Sequence, residues 1–297
     1  MRKKFDSKWT PMNVVAMIIM LIFSLIIIFP LVWAFISSFK HRLDWTWNKI
    51  GFPSNEYSFE PRAWQWENYS IALSRLFVPT EKGKVYMYQQ AFNSLFYAGT
   101  FTAASIFMHC LIAYIVAKYN FKFGKVVYGI VLVTMMLPIV GSMSSGLQVR
   151  QALGIYGKYW GELAITFGGF GGMHFLIFYA CFKAIPWSYA EAAQMDGAGH
   201  FKIFIRIMVP LAWSTITGVL ILNFIAAWNN YTTPLVYLPN MPTLAVGLFM
   251  FKSKADELSS EPRRLAATMM VATPTLLLFV IFRNKIMGNI AIGGLKG

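Results

Sequence analysis

Six long apolar runs, near residues 14–36, 91–117, 126–147, 163–183, 206–228 and 265–282, constrain this chain more than any other feature. A helix rising about 1.5 Å per residue needs about 20 mostly apolar residues to cross the hydrocarbon core of a bilayer, and each run is close to that length. The runs are too long for strands and lack the alternation of a barrel wall. Composition agrees: 57% of the 297 residues are hydrophobic and only 13% charged, far more apolar than a soluble domain of this length. The expected fold is therefore an all-α integral membrane protein with six transmembrane helices, a single transmembrane domain over 1–297 with its first span at 14–36.

The first run follows "MRKK", which raises the possibility of a cleaved secretory signal. Its apolar stretch of about 23 residues exceeds the 7–15 of a signal core, and no small-x-small cleavage pair follows, so it is counted as a span. The net charge of +14 is spread along the loops rather than gathered on one face, which argues against nucleic acid as a partner. It fits membrane orientation instead. Arg2, Lys3, Lys4 and Lys8, then Lys118, Lys122 and Lys125, flank short segments as cytoplasmic loops do. Both termini are then cytoplasmic and 37–90 is an extracytoplasmic loop, with Arg263 and Arg264 running against the trend at the outer end of the sixth span.

That loop holds Trp45, Trp47, Trp64, Trp66, Pro53 and Pro61, a mixture that fits either an interfacial aromatic belt or a small folded cap. A second outer excursion, 233–264, contains prolines expected to break any helix, and its "TLAVGLFMF" is apolar enough to dip toward the bilayer or to pack on other spans. Pro138 and Gly141 predict a kink in the third run. "GGFGG", 168–172, predicts close helix approach at small-xxx-small spacing.

Counting about 1.5 Å per residue from Pro210, Asn223 lies roughly 20 Å into the membrane and Asn229 near its far boundary. Asn223, Trp228, Asn229 and Asn230 combine amides with an aromatic ring, which suits sugar hydroxyls and the apolar faces of sugar rings; Asn within a span equally serves as interhelical glue. His109 and His174 fall within apolar runs without an evident carboxylate, either as neutral hydrogen-bonding groups or in a proton role. Cys110 and Cys181 have the spacing of neither a disulfide framework nor a metal site. No Asp or Glu lies deep in any run, no GxxxxGK[ST] loop is present, and no nucleophile and base cluster together. No catalytic residue, metal site or cofactor is assigned to this chain, and the energy for active transport would come from a partner.

The stretch "IPWSYAEAAQMDGAGHFKIFIRIMVP", 185–210, interrupts the apolar pattern. Pro186 can begin a helix, Ser188 and Glu191 have the spacing of a capping box, and Gly197 can take a left-handed cap. A helix of about two turns is expected, with the small Ala192 and Ala193 on a face a partner could approach.

"EAAQMDGAGHFKIFIRIMVPL" resembles the EAA signature of the permease subunits of bacterial ABC importers, ending in "VP" where the family has "LP". "AYIVAKYNFKFGK", "AAWNNYTTPLVYL", "TLAVGLFMF", "RLAATMMVATP" and "GGLKG" resemble the carbohydrate (MalG-type) branch, and together cover most of 88–297. The resemblance implies the type I ABC importer transmembrane fold, with a permease core over 88–285 in the bacterial cytoplasmic membrane. It implies a coupling helix at about 187–198, placing Glu191, Ala192, Ala193, Asp196 and Gly197 against a cytoplasmic ATPase. It also implies a cytoplasmic tail, 286–297, whose Gly293, Gly294 and Lys296 extend between two ATPase copies, and an outer loop at 239–248 that reaches into a solute-binding protein. The implied partners are a second permease subunit in a heterodimer, two ABC ATPases that bind ATP and Mg, an extracytoplasmic solute-binding protein and membrane lipid. The competing reading is a stand-alone secondary carrier or channel for a small polar solute.

Overall fold

The computed structural model describes residues 11–57, 61–137, 141–169, 171–253 and 260–292, with side chains through Arg283. Arg2, Lys3, Lys4, Lys8, Pro138 and the tail residues Gly293, Gly294 and Lys296 lie outside the described residues. Two compact units divide the chain, one drawn from 1–76 and 251–270 and the other from 77–250 and 271–297.

The first unit opens with α1 (Pro11–Ser37), an apolar helix with no buried residue along its most hydrophobic 18-residue window. A helix apolar all round is stable where its surroundings are apolar too, as in lipid. Beyond it, α2 (Arg42–Trp47) and α3 (Glu67–Arg75) belong to a folded cap. Phe39 is buried among Phe35, Trp64, Trp66 and Tyr69, its ring 4.6–5.4 Å from theirs between centroids. Trp33 donates to the Lys49 carbonyl at 2.9 Å, and Asn68 donates to the carbonyls of Ser38 and Lys40, both at 2.9 Å. The second sequence alternative for this loop, a folded cap, is therefore the one observed over the described residues 37–57 and 61–76, although Trp47 remains three-quarters exposed.

Asp44 ties the cap together. Fully buried, it accepts from the Ser54 amide at 3.1 Å, the Ser54 hydroxyl at 2.9 Å and the Asn48 side-chain amide at 3.3 Å. Neighbouring Lys40 donates to the Asn48 carbonyl, and burial pushes its ammonium below the usual lysine range while the Asp44 charge opposes that shift. Asp44→Ala leaves the half-buried Ser54 and Asn48 donors unsatisfied and the buried Lys40 without its countercharge, so we expect it to destabilise the cap by about 2–3 kcal/mol. Limited proteolysis checks this: cleavage should appear between residues 42 and 57, and an unchanged digestion pattern would refute it.

The second unit begins with an antiparallel hairpin, β1 (Phe77–Thr80) and β2 (Gly83–Tyr86), paired from Phe77 opposite Tyr86 to Thr80 opposite Gly83. The fold is thus mostly helical rather than all-α. Gly83, at φ +118°, supplies the turn conformation that a side chain would resist.

The hairpin leads into α4 (Met87–Lys118), the helix around which this unit packs. Next come α5 (Lys122–Met136), α6 (Ser142–Ala152), α7 (Tyr159–Gly168), α8 (Met173–Ala184) and α9 (Ser188–Met195). A helical segment over 200–211 follows, made of α10 (His200–Ile203), a π turn (Phe204–Met208) and α11 (Val209–Leu211). It leads to α12 (Trp213–Asn229) and α13 (Thr232–Tyr237). Finally, α14 (Leu244–Ser253) and α15 (Glu261–Ile292) each carry residues of both units. The core interleaves Cys110, Ala113 and Tyr114 of α4 with Phe175, Phe178 and Phe182 of α8 and with Phe204 and Met208 of the π turn.

Among the described residues, α1, α4 and Glu261–Arg283 of α15 are each long and apolar enough to cross a bilayer. Two further segments qualify as broken pairs, α7 with α8 and 200–211 with α12. The third predicted run is not one continuous helix. Its first part, α5, has 15 residues, about 22 Å of helix, and stops at Met136; α6 restarts at Ser142 behind Gly141, whose φ of +80° no ordinary side chain adopts cheaply. "GGFGG" likewise breaks a run instead of thinning a helix face, because Gly168 closes α7 and Gly172, at φ +89°, precedes α8. In the outer excursion Pro234 does not break a helix, since it sits in the first turn of α13, where its missing amide costs nothing. "TLAVGLFMF" packs on other helices: Leu244 joins Ala98 and Trp228, and its amide donates to Ser94 at 2.7 Å.

Candidate functional site

The interruption at 185–210 contains a helix of two turns, as its sequence predicts, but with different chemistry at its start. The N-cap is Trp187, whose carbonyl accepts from Ala190 at 2.8 Å and Glu191 at 3.2 Å, and no side chain caps the helix. Ser188 is already inside the helix, so its hydroxyl cannot reach forward to a free amide and the predicted capping box does not form. The C-terminal end follows expectation. Gly197, at φ +75°, donates to the Gln194 carbonyl and Ala198 to that of Ala193, both at 2.9 Å, the paired bonds of a left-handed glycine cap.

The two sides of α9 differ sharply. Ala190 and Ala193 are buried in the same core as Tyr114, Phe182 and Phe204, so Ala193 faces the chain's own interior and not open surface. Trp187 packs against Tyr119 at 5.7 Å between rings, the Tyr119 hydroxyl meets His200 Nδ1 at 2.9 Å, and Lys118 donates to the Ile185 carbonyl. On the opposite side Glu191, Ala192, Asp196 and Gly197 are exposed, together with Met195, at 89%. Met195 was not singled out by sequence reasoning; a large apolar residue between polar neighbours was the available signal. A short helix held from behind and presenting a polar rim around one exposed methionine is suited to rigid-body docking.

The four residues proposed for the pathway separate. Trp228 is buried against Ala98, Leu244 and Val271 and donates to the Val271 carbonyl at 3.4 Å. Asn230 caps the turn into α13, accepting from the Thr233 amide at 3.1 Å and donating to its hydroxyl at 3.0 Å. Asn229 is exposed but returns its side-chain amide to the Ile225 carbonyl. Asn223 alone, half-buried, has no hydrogen-bond partner among the described residues.

His109 and His174 come together edge to face at 5.7 Å, with no carboxylate beside them among the described residues. His109 lies against the carbonyls of Ser105 at 2.6 Å and Gly171 at 2.9 Å. Cys110 and Cys181 are free thiols, and no group of three or more metal-ligating side chains occurs among the described residues. A buried ion pair escaped the sequence reading: Glu162 accepts from Arg150 Nε and, at 3.0 Å, from Nη2. Arg150 also lies 3.7 Å from the Tyr237 ring centre, and the hydrogen bond to Glu162 pushes its guanidinium pKa up. Glu162 stands one residue before the fourth apolar run, so a search confined to the runs passes over it.

One family model spans the stretch from the second half of α4 through most of α15, the α9 segment included. Residues 109–289 match that of the "binding-protein-dependent transport system inner membrane component". The chain belongs to this family. It is a multi-pass protein of the bacterial plasma membrane. Relatives of this inner membrane component include the arabinooligosaccharides transport system permease protein AraQ of Bacillus subtilis, 25% identical over 92% of each chain. The diacetylchitobiose uptake system permease protein NgcG of Streptomyces coelicolor is 24% identical over 93% of this chain and 86% of its own. Among solved structures, a chain of a bacterial ABC transporter involved in the import of the acidic polysaccharide alginate aligns with a TM-score of 0.72, at 20% identity, covering 92% of this chain and 95% of that one. That likeness is one of fold.

Proposed function

We propose that this inner membrane component is one of two membrane subunits of an ATP-driven importer that receives a saccharide from an extracytoplasmic binding protein. The observation that carries the reading is α9, an exposed two-turn helix braced by its own core and set within the family's matched region. The chain crosses the membrane six times as one transmembrane domain, with both termini in the cytoplasm. Glu191, Ala192, Met195, Asp196 and Gly197 meet the ATPase; Ala193 supports them from behind. The tail with Gly293, Gly294 and Lys296 reaches between the two ATPase copies, which bind ATP and Mg and perform the hydrolysis.

Sugar transport is supported by the relatives, which are permease proteins for arabinooligosaccharides and diacetylchitobiose. Asn223 is the residue of this chain most suited to touch such a cargo, because a half-buried amide without a partner can satisfy hydroxyls at little reorganisation cost. Closure of the ATPase pair moves the docked helices together and shifts the spans between inward-open and outward-open populations, with no covalent chemistry in this chain.

Affinity tagging in the native cell, mild detergent extraction and mass spectrometry test the reading. Recovery with a second multi-span protein and a soluble ATPase, followed by ATP hydrolysis stimulated by a saccharide-loaded binding protein, is expected. Repeated recovery alone or as a homo-oligomer would overturn it in favour of a stand-alone carrier.

A further inference from the structure

Residues 200–211 meet α12 at 80°. With α12 crossing the bilayer, this segment lies close to the membrane plane, at the cytoplasmic surface in the orientation proposed above. Ile203, Phe204 and Met208 are buried in the protein core, whereas Phe201, 66% exposed, and Ile205, 41% exposed, point away from it beside exposed Lys202 and Arg206. Apolar side chains next to cations on an in-plane helix are the pattern of a segment seated in a lipid headgroup layer.

Just beyond the bend, an apolar groove of about 290 Å³ runs between α12 and α15, lined by residues that include Trp213, Thr217, Phe224, Leu278 and Phe282. Thr217 turns its hydroxyl to the backbone carbonyls of Trp213 and Ser214, at 2.9 and 3.0 Å, so it presents only its methyl group. From Trp213 to Phe224 the groove follows eleven residues of helix, about 16 Å, which matches the depth of one leaflet of a core about 30 Å thick. Trp228, near the far end of α12, donates to the Val271 carbonyl in α15, so the two helices run antiparallel along the groove, and exposed Arg283, next after Phe282, falls toward the Trp213 end. Among the described residues, Lys202, Arg206 and Arg283 have no carboxylate partner.

We propose that this corner is a binding site for one anionic phospholipid of the cytoplasmic leaflet, with an acyl chain in the groove and the headgroup phosphate met by Arg206 and Arg283, Lys202 lying further along the same face. A helix of another subunit in this groove would bring Arg206 and Arg283 toward a low-dielectric interface without a countercharge, which is costly; a phosphate satisfies both. The leaflet assignment rests on the orientation in the proposed function.

The test uses the assembled complex in nanodiscs of phosphatidylglycerol or phosphatidylcholine, with lipids retained per copy counted by native mass spectrometry. One phosphatidylglycerol and no phosphatidylcholine should survive detergent exchange. Arg206→Gln and Arg283→Gln should each weaken retention about fivefold, the worth of one cation near an anionic surface. Thr217→Phe, which fills the groove and leaves the cations intact, should abolish retention. Equal retention of both lipids, or retention indifferent to all three variants, overturns the site. Loss of the second membrane subunit in Thr217→Phe with the lipid count unchanged also overturns it, and assigns the groove to a helix. Labelling of Arg206→Cys by an impermeant thiol reagent separates the two readings. Reaction from outside would overturn the leaflet and orientation alone, whereas reaction from inside with a failed lipid count overturns the lipid site alone.

Discussion

Glu162→Ala is expected to destabilise this protein by about 3–5 kcal/mol, the cost of leaving one partner of a buried ion pair alone. The carboxylate side chain is 3% exposed and that of Arg150 only 13%. Arg150 is fixed on three sides: by Glu162, by the Gly146 carbonyl at 3.1 Å and by the face of Tyr237, whose own hydroxyl donates to the Met143 carbonyl at 3.1 Å. The Gly157 amide in turn donates to the Tyr237 carbonyl at 3.1 Å. Removing the carboxylate strands a guanidinium that cannot deprotonate. Removing both charges does not, so Arg150→Met with Glu162→Leu should lie close to the parent protein. Buried Cys110 provides the readout, since a thiol-reactive dye reports its exposure on heating in detergent. The midpoint should fall by roughly 10 °C in the single variant and return most of the way in the double variant. A single variant as stable as the double would show that the pair carries no such cost.

Gly197→Val should abolish coupled transport while leaving the spans folded. At φ +75° a β-branched residue is a severe outlier, and the two bonds that close α9 depend on that conformation. The strain amounts to about 1–2 kcal/mol for an ordinary L-residue and more for valine. It falls on the end of the helix that carries Met195 and Asp196. In the reconstituted complex, uptake should drop at least tenfold and hydrolysis should lose its dependence on loaded binding protein. Gly197→Asn, which tolerates the left-handed region, should retain most uptake, and Gly197→Ala should fall between the two. Glu191→Ala, an exposed change with no folding cost in view, should lower uptake without moving the thermal midpoint. Uptake that ignores this order, and is unchanged in Glu191→Ala, would refute docking through α9.

The places where sequence reasoning succeeded and failed have a common physical basis. Apolar length is a property of one segment, so α1, α4 and α15 are legible as continuous runs. A glycine or proline within a run frees backbone groups whose fate depends on neighbouring helices, so the helix ends at Leu137 and Gly141, at Gly169 and Gly172, and at Ala212 are not legible in the same way. The hairpin at 77–86 depends on a pairing between two short strands inside a loop whose sequence signals are its aromatics and prolines. In α9 the glycine cap could be read from one residue, yet which alanine faces inward depends on Phe182 and Phe204, contributed by other elements.

The candidate site divides along the same line. Trp228, Asn229 and Asn230 have the residue types of a sugar-contacting cluster, but their groups are taken up by Val271, Ile225 and Thr233. Glu162 and Arg150, twelve positions apart, meet only because α6 and α7 fold toward each other. The sequence by itself determined that the chain is helical, membrane-embedded and interrupted at 185–210 by a short capped helix, because hydrophobic length and glycine conformation are local. Only the tertiary structure decided which side of that helix is free, which amide remains unpartnered and which charges are buried together, because burial and pairing are relations between segments that the order of residues does not display.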